Sequence, residues 1–474
     1  MKRGPSKSVE GLEQAYAAQL EALTPHRSRT ERYAMGKSLR EACPRNSHAA
    51  WKAPADRPDP VHLVLEANTG RIPELLPLRH GRMVRSPFTF YRGAALNMAV
   101  DLAATPATGV RVQCGGDAHL VNFRGFSTPE RRVILALNDL DETLPAPWEW
   151  DVKRLGASFV IACRDNGLGE STAKDVVLTC ARAYRERMAE FSEMKALDLW
   201  YYALDAEKLF PTIKDAEIRR RAIKRLEKER GRSVAEDLFP KLVQESGGRP
   251  VIKDQRPTIY HPPYVKSLPK IKEVYAGYRE TLAPAHRKLL DRYEFKDAAI
   301  KVVGVGSVGT ACMVALLMAG EGDPLVLQVK EARASVLEAY AGKSVYPNHG
   351  QRVVNGIRLV QPASDIFLGW TAGASGRHYY VRQLRDVKII FAVETYRKAE
   401  MTLFAQMCGW SLALSHARSG DPAVVSGYLG KSDAFDKALA AFSVAYADQT
   451  EKDHAALKRA VRDGKIKAFV EEPK

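Results

Sequence analysis

Apolar residues recur along this chain with two different periods, and the change between them marks its organisation. From Leu155 to about Leu242 they follow the three-to-four spacing of amphipathic helices almost throughout. Between residues 298 and 390 the texture becomes that of strands, over Ala299–Val305, Met313–Met318, Leu325–Val329, Gly356–Val360 and Tyr379–Leu384. One short helix, Ala334–Tyr340, interrupts them, and helix returns from Tyr396 to Phe469. Residues 88 to 160 are mixed, with a helical pattern over Gly93–Leu102 and strands over Gly109–Gln113 and Arg132–Leu137. The first 80 residues are irregular with helical patches, and Gly247-Gly248-Arg249-Pro250 and His261-Pro262-Pro263 punctuate a loop segment. The pattern therefore divides the chain into an N-terminal extension (1–80), a large helical lobe (81–295), a small β-rich lobe (296–392) and C-terminal helices (393–474) completing the large lobe.

Three segments carry chemistry. Gly115-Gly116-Asp117-Ala118-His119-Leu120-Val121-Asn122 follows a strand-like run, and an Asp with an Asn five positions on is the spacing of a phosphotransfer catalytic loop. There Asp117 takes the proton of an attacking hydroxyl and Asn122 holds a metal ion; the competing reading is an Asx-rich turn. Next, the apolar run Leu135-Ala136-Leu137 delivers Asn138-Asp139-Leu140-Asp141-Glu142, a carboxylate cluster suited to magnesium through Asp139 and Asp141. The alternative is a charged turn neutralised by Lys153 and Arg154. The third segment, Gly304-Val305-Gly306-Ser307-Val308-Gly309, lets backbone amides approach phosphates and leads toward Gln328-Val329-Lys330-Glu331.

Those glycines fit two folds. In a dinucleotide-binding fold a helix leaves them and an acid about 20 positions on, here Glu331, holds a ribose. In a kinase they form a hairpin over the triphosphate, with Lys330 on the third strand clamping phosphates and Glu338 as its helix partner. Antiparallel strands after one helix, joined by the hairpin signal Gly373-Ala374-Ser375-Gly376, favour the kinase reading. Asp117 and Asp139 precede the glycines, so the order is circularly permuted. Helix Trp410–Ala417 then takes the place of the helix that leads into the catalytic loop. The expected class is α+β: a protein-kinase-like, two-lobed, circularly permuted fold with extra helical segments.

Composition narrows the picture further. With 72 Lys and Arg against 56 Asp and Glu, the net charge of +16 attracts phosphate-bearing molecules without saying which. The basic run from Arg219 to Arg232 is interleaved with Ile218, Ala222, Ile223 and Leu226 and reads as one face of an amphipathic helix; nucleic acid is possible but not favoured. Six scattered cysteines without a CxxC pair, no apolar membrane-length run and no secretory leader lead to the expectation of a soluble, cytoplasmic protein.

Arg82-Met83, Ser86 through Gly93, the Gly116–Phe123 loop, Asn138 through Thr143, Trp148 through Leu155, Gln328 through Ala332 and His416 through Asp421 together resemble an uncharacterised bacterial family, domain of unknown function 2252, over roughly residues 30 to 460. That resemblance supplies no substrate. Separately, Gly116-Asp117 to Asn122 and Asp139-Leu140-Asp141 are similar to motifs of aminoglycoside and choline kinases, and His119 matches the second His often seen in their loop. Those families usually carry His before the Gly-Asp pair, where this chain has Gly115.

The expected function is an ATP- and magnesium-dependent, kinase-like phosphotransferase acting on an unidentified hydroxyl-bearing acceptor, small molecule or protein, with AMP transfer using the same parts. Asp117 and His119 are its catalytic candidates, and Asn122, Asp139 and Asp141 its metal ligands. Gly304, Gly306, Ser307, Gly309, Lys330 and Glu338 form the nucleotide site. An NAD(P)-dependent oxidoreductase and a non-catalytic basic module binding nucleotide or nucleic acid are the alternatives. Outside these segments, Trp148 and Trp150 read as core, Arg92 and Arg154 as salt-bridge partners with a clamp role second, and His416 as structural.

Overall fold

The computed structural model describes residues 27–231, 237–261, 268–320, 322–373, 375–384 and 388–471, and it is a mixed α+β protein. Along the chain, β1 (Arg111–Cys114), β2 (Phe123–Ser127), β3 (Val133–Leu137) and β4 (Leu144–Pro147) lead into two long helices, α1 (Trp148–Asp165) and α2 (Glu170–Glu193). Next come β5 (Glu294–Lys301), β6 (Cys312–Met318), β7 (Pro324–Ala332), α3 (His349–Val360), β8 (Gly369–Ala372) and β9 (His378–Gln383). Two further long helices, α4 (Lys398–Ser419) and α5 (Ala434–Arg462), follow.

One antiparallel sheet of six strands runs in the order β8-β9-β7-β6-β5 and ends on the short strand Ile259–Tyr260, so the β-rich unit starts before residue 296. Alternation sorts its two faces. Ala299, Val314, Leu316 and Val326 pack under Leu242, Val243 and Ile252, while Leu317, Leu325, Leu327 and Val381 pack against Tyr278, Leu282 and Leu290. Val326, Gln328 and Lys330 are successive same-face positions of β7, so that face becomes polar toward the strand's end. There Tyr380 and Arg382 of β9 lie directly across from Lys330 and Gln328.

The run Gly356–Val360, expected as a strand, is the last part of helix α3. Val353, Val354, Ile357 and Val360 recur at helical spacing and are all buried in the main core, and that stripe outweighs the strand preference of the short β-branched run. Asn348 caps the helix by accepting from the N–H groups of Gly350 and Gln351. The strand expected over Ala299–Val305 stops at Lys301, where the glycine segment begins.

Most of the remaining elements share one large core, with a smaller cluster of Val64, Met83, Phe90 and Leu457 beside it. The large core joins Trp148, Leu155 and Phe159 of α1, Val176 and Tyr184 of α2, Leu135 and Leu137 of β3, and Met401, Phe404 and Leu412 of α4. Residues from both sides of the six-stranded sheet in sequence thus build one body. Strand β2 pairs with β3 and with Lys388–Ile389, and β1 pairs with β4. Trp148 is fully buried and stacked 5.7 Å from Tyr184, and Trp150 is buried too, so both tryptophans serve packing. The basic run forms helix Ala216–Arg230 with Leu226 buried beneath it; Arg232 lies outside the described residues.

Candidate active site

Helix α1 is buried on every side, which would be costly for Glu149, Asp151, Lys153 and Arg154 unless each had a partner. Each has one. Glu149 accepts from the Thr108 N–H and hydroxyl, and Lys153 donates to the Thr105 hydroxyl and the Pro106 carbonyl. Asp151 accepts from the N–H groups of Gly115 (2.6 Å) and Gly116 (3.0 Å), holding the start of the Asp117 loop. Behind it, His416 of α4 lies 3.3 Å from Asp151 and 2.8 Å from the Tyr184 hydroxyl. His416 therefore supports the loop indirectly, through Asp151. Asp421 stands apart, capping the helix Pro422–Leu429 and pairing with Arg32. Gly116 has φ +77°, and a Cβ there would lie 2.4 Å from the Glu142 carbonyl oxygen.

Asp117 is paired with Arg154, whose Nε (2.7 Å) and Nη2 on one guanidinium edge both donate to Asp117 Oδ1. Desolvation, with Glu142 and Asp139 adding to it, pushes its carboxyl up to about 7 against the pull of Arg154. His119 has its Nε2 3.8 Å from the Asp117 carboxylate, and burial together with Arg154 and Arg92 drives its pKa well down, so it is neutral. Asn122 donates from its amide nitrogen to the Asp117 carbonyl at 2.8 Å, which leaves its amide oxygen for a cation.

Across the cleft, Lys330 reaches Asp139 at 3.2 Å and Asp141 at 2.7 Å. The Tyr380 hydroxyl donates to Asp141 at 2.6 Å. Desolvation raises the Asp139 pKa, but Lys330, Arg382 and Arg124 outweigh it and hold the group well below the usual carboxylate range. Burial in turn opposes the charge on Lys330, and the two carboxylates overcome it and raise its pKa well above the ordinary value. Helix α3 fixes the acidic loop from behind: Arg352 donates to the carbonyls of Asp141 (2.8 Å), Thr143 and Arg333.

The glycine segment joins β5 to β6 in an antiparallel hairpin, so a strand leaves the glycines where a dinucleotide-binding fold requires a helix. Its carbonyls are tied down: Arg71 donates to Gly306 and Val308, both at 2.7 Å, Arg82 to Gly304, and the Ile72 N–H to Gly309. Among the described residues the N–H groups of Gly304, Val305, Gly306 and Ser307 have no hydrogen-bond partner. The Ser307 hydroxyl lies 3.5 Å from Asp141. A cavity of about 250 Å³ brings together Asp117, His119, Asn122, Asp139, Asp141, Gly304, Gly306 and Ser307. Gly309 packs just outside it on Arg71.

Glu338 does not meet Lys330. It accepts from the Ser335 N–H and lies 3.9 Å from both His349 and Arg352, because its short helix is anchored in the large core through Leu337 and Ala341 while Lys330 is turned to Asp139 and Asp141. Glu331, on the opposite face of β7 from Lys330, accepts from the Ala311 N–H and Arg377. Sequence reasoning missed Tyr380, Arg382, Arg124, Arg71 and Arg352. Tyr380 and Arg382 become visible only once β7 and β9 are put in register, and Arg71 only once the N-terminal segment is docked on the glycines.

The chain belongs to a bacterial family described as an uncharacterized protein conserved in bacteria, DUF2252, whose model matches residues 71–460. No curated protein and no solved structure matches it.

Proposed function

We propose that this protein is an ATP- and magnesium-dependent phosphotransferase of kinase-like construction with its lobes in permuted order. The observation that carries the reading is that Lys330, on the third strand counted from the glycine hairpin, meets Asp139 although 191 positions separate them, beside the cavity that holds Asp117 and Asn122. The residues suit both groups: Asn122, Asp139 and Asp141 would offer oxygens to a magnesium ion, and the N–H groups of Gly304–Ser307, free of other partners, would be donors for polyphosphate oxygens. Magnesium ATP, when bound, supplies the transferable phosphoryl group.

The chain's own residues do the rest. Asp117, with a pKa near neutrality, accepts the proton of the acceptor hydroxyl as its oxygen attacks, and Arg154 holds that carboxylate in position. Lys330 clamps phosphate oxygens and, before they arrive, keeps Asp139 and Asp141 from repelling each other. Neutral His119 shapes the loop beside the base. Calorimetric titration with ATP, with and without magnesium, tests the scheme: binding is expected to depend on magnesium and to lose that dependence in Asp139→Asn. Absence of ATP binding, or equal binding by Asp139→Asn, sinks it.

A further inference from the structure

A second cavity, of about 290 Å³, opens beside Asn138, the residue before Asp139, and none of the roles given above uses it. Its wall combines Phe126, Ile357, Leu368 and Leu384 with the cations Arg382 and Lys388; Arg131 also lines it. We propose that this cavity is a binding site for a small organic anion: a phosphate or carboxylate head held by Lys388 and Arg382, with an apolar body against Phe126, Ile357 and Leu368.

The charge balance around the cavity points to an anion. Arg382 donates to the Gln328 side-chain oxygen at 3.1 Å, and among the described residues no carboxylate lies within ion-pair distance of it or of Lys388. The carboxylate in the wall, Asp365, accepts from the N–H groups of Phe367 and Gln383, and its one negative charge stands against the three cations Arg131, Arg382 and Lys388 of the same wall. Lys388 lies on a strand paired with Phe126 of β2, two residues along from Arg124, and it shares the cavity wall with Arg382. Burial and those two guanidinium groups press its pKa well down, with only Asp139 opposing. An anion placed between this half-buried, crowded ammonium and its cationic neighbours relieves their repulsion, and charge-assisted hydrogen bonds to such a head group are the strong ones. The apolar remainder of the wall excludes a bare inorganic ion as the best occupant, because Ile357, Leu368 and Phe126 gain only from an apolar body.

The proposal does not rest on the phosphotransfer reading: Lys388 has no part in it, and of the two proposed anion-holding cations only Arg382 also bears on that site, through Asp139. The test is titration of the full chain with phenyl phosphate and with benzoate, followed by ligand-observed NMR. One-to-one, salt-sensitive binding of either is expected, the tighter of the two naming the head group. Lys388→Gln should weaken it about tenfold, and Lys388→Arg, which keeps the charge, should retain it. Because Lys388 is only half-buried at a strand end, both variants are expected to fold, checked by circular dichroism. No saturable binding of either probe, or unchanged binding by folded Lys388→Gln, overturns the proposal.

Discussion

A lysine surrounded by two carboxylates and a tyrosine hydroxyl is held by charge before any ligand arrives, and that has a measurable consequence. Lys330 is 3% exposed and Asp139 32%, so the pair is only partly desolvated. Lys330→Met leaves Asp139 and Asp141 facing each other without their cation and is expected to cost about 1–3 kcal/mol. Magnesium should return part of that loss in the variant, which denaturant unfolding with and without the ion will read. Asp117 gives a second expectation. A base must be deprotonated, so turnover should rise as pH climbs through about 7 and then level off. A profile flat across that pH would remove Asp117 from the role, as would substantial activity in Asp117→Asn. The sequence made Asp117, Asn122, Asp139 and Lys330 legible because each sits in a short motif of fixed spacing. Tyr380 and Arg382 lie in no motif; they acquire meaning from a strand register that only the folded sheet defines.

Among the elements, the loop between β1 and β2 depends on backbone geometry as much as on side chains. Gly116→Ala forces a left-handed φ on a residue with a Cβ and drives that atom into the Glu142 carbonyl. A loss of about 2–3 kcal/mol in chemical unfolding is expected, together with loss of any activity that needs Asp117 in place. Asp151→Asn separates support from chemistry: it keeps the shape but weakens the hold on the Gly115 and Gly116 N–H groups. It is expected to lower kcat while leaving magnesium-dependent ATP binding within about twofold, whereas a drop in both would place Asp151 nearer the ligand than the structure does. Element type was readable wherever one period dominated, as in α1, α2, β6 and β7. Helix α3 was misread at its end because Gly356–Val360 is short, and its helical stripe appears only when Val353 and Val354 are counted with it.

For the whole molecule, the decisive feature is that the large core draws on residues before and after the six-stranded sheet. Shifts of hydrophobic period placed the lobes, but docking of the N-terminal segment on the glycine hairpin joins Leu75 and Leu78 to Ile300, Val302 and Val308 and adds the single arginines Arg71 and Arg82, a pairing of distant segments that no periodicity announces. Helix α4 inserts Met401, Phe404, Leu412 and Leu414 into that core. Burial of such side chains contributes about 1.5–3 kcal/mol each, a sum comparable with the whole net stability of an ordinary domain. A chain ending at residue 396 is therefore expected to lack cooperative unfolding by circular dichroism, and a full chain that unfolds no more cooperatively would contradict that role for α4. The same arrangement sets a schedule for synthesis on the ribosome. Once α1 is complete at Asp165, 232 more residues must be added before Lys398 begins the helix that covers it. At about 5–20 residues per second this is roughly 10–50 s during which Trp148, Leu155 and Phe159 wait without their final partners. The nascent chain must spend that interval shielded, by chaperones or by provisional contacts with α2, and the last quarter of the protein decides when the first half is finished.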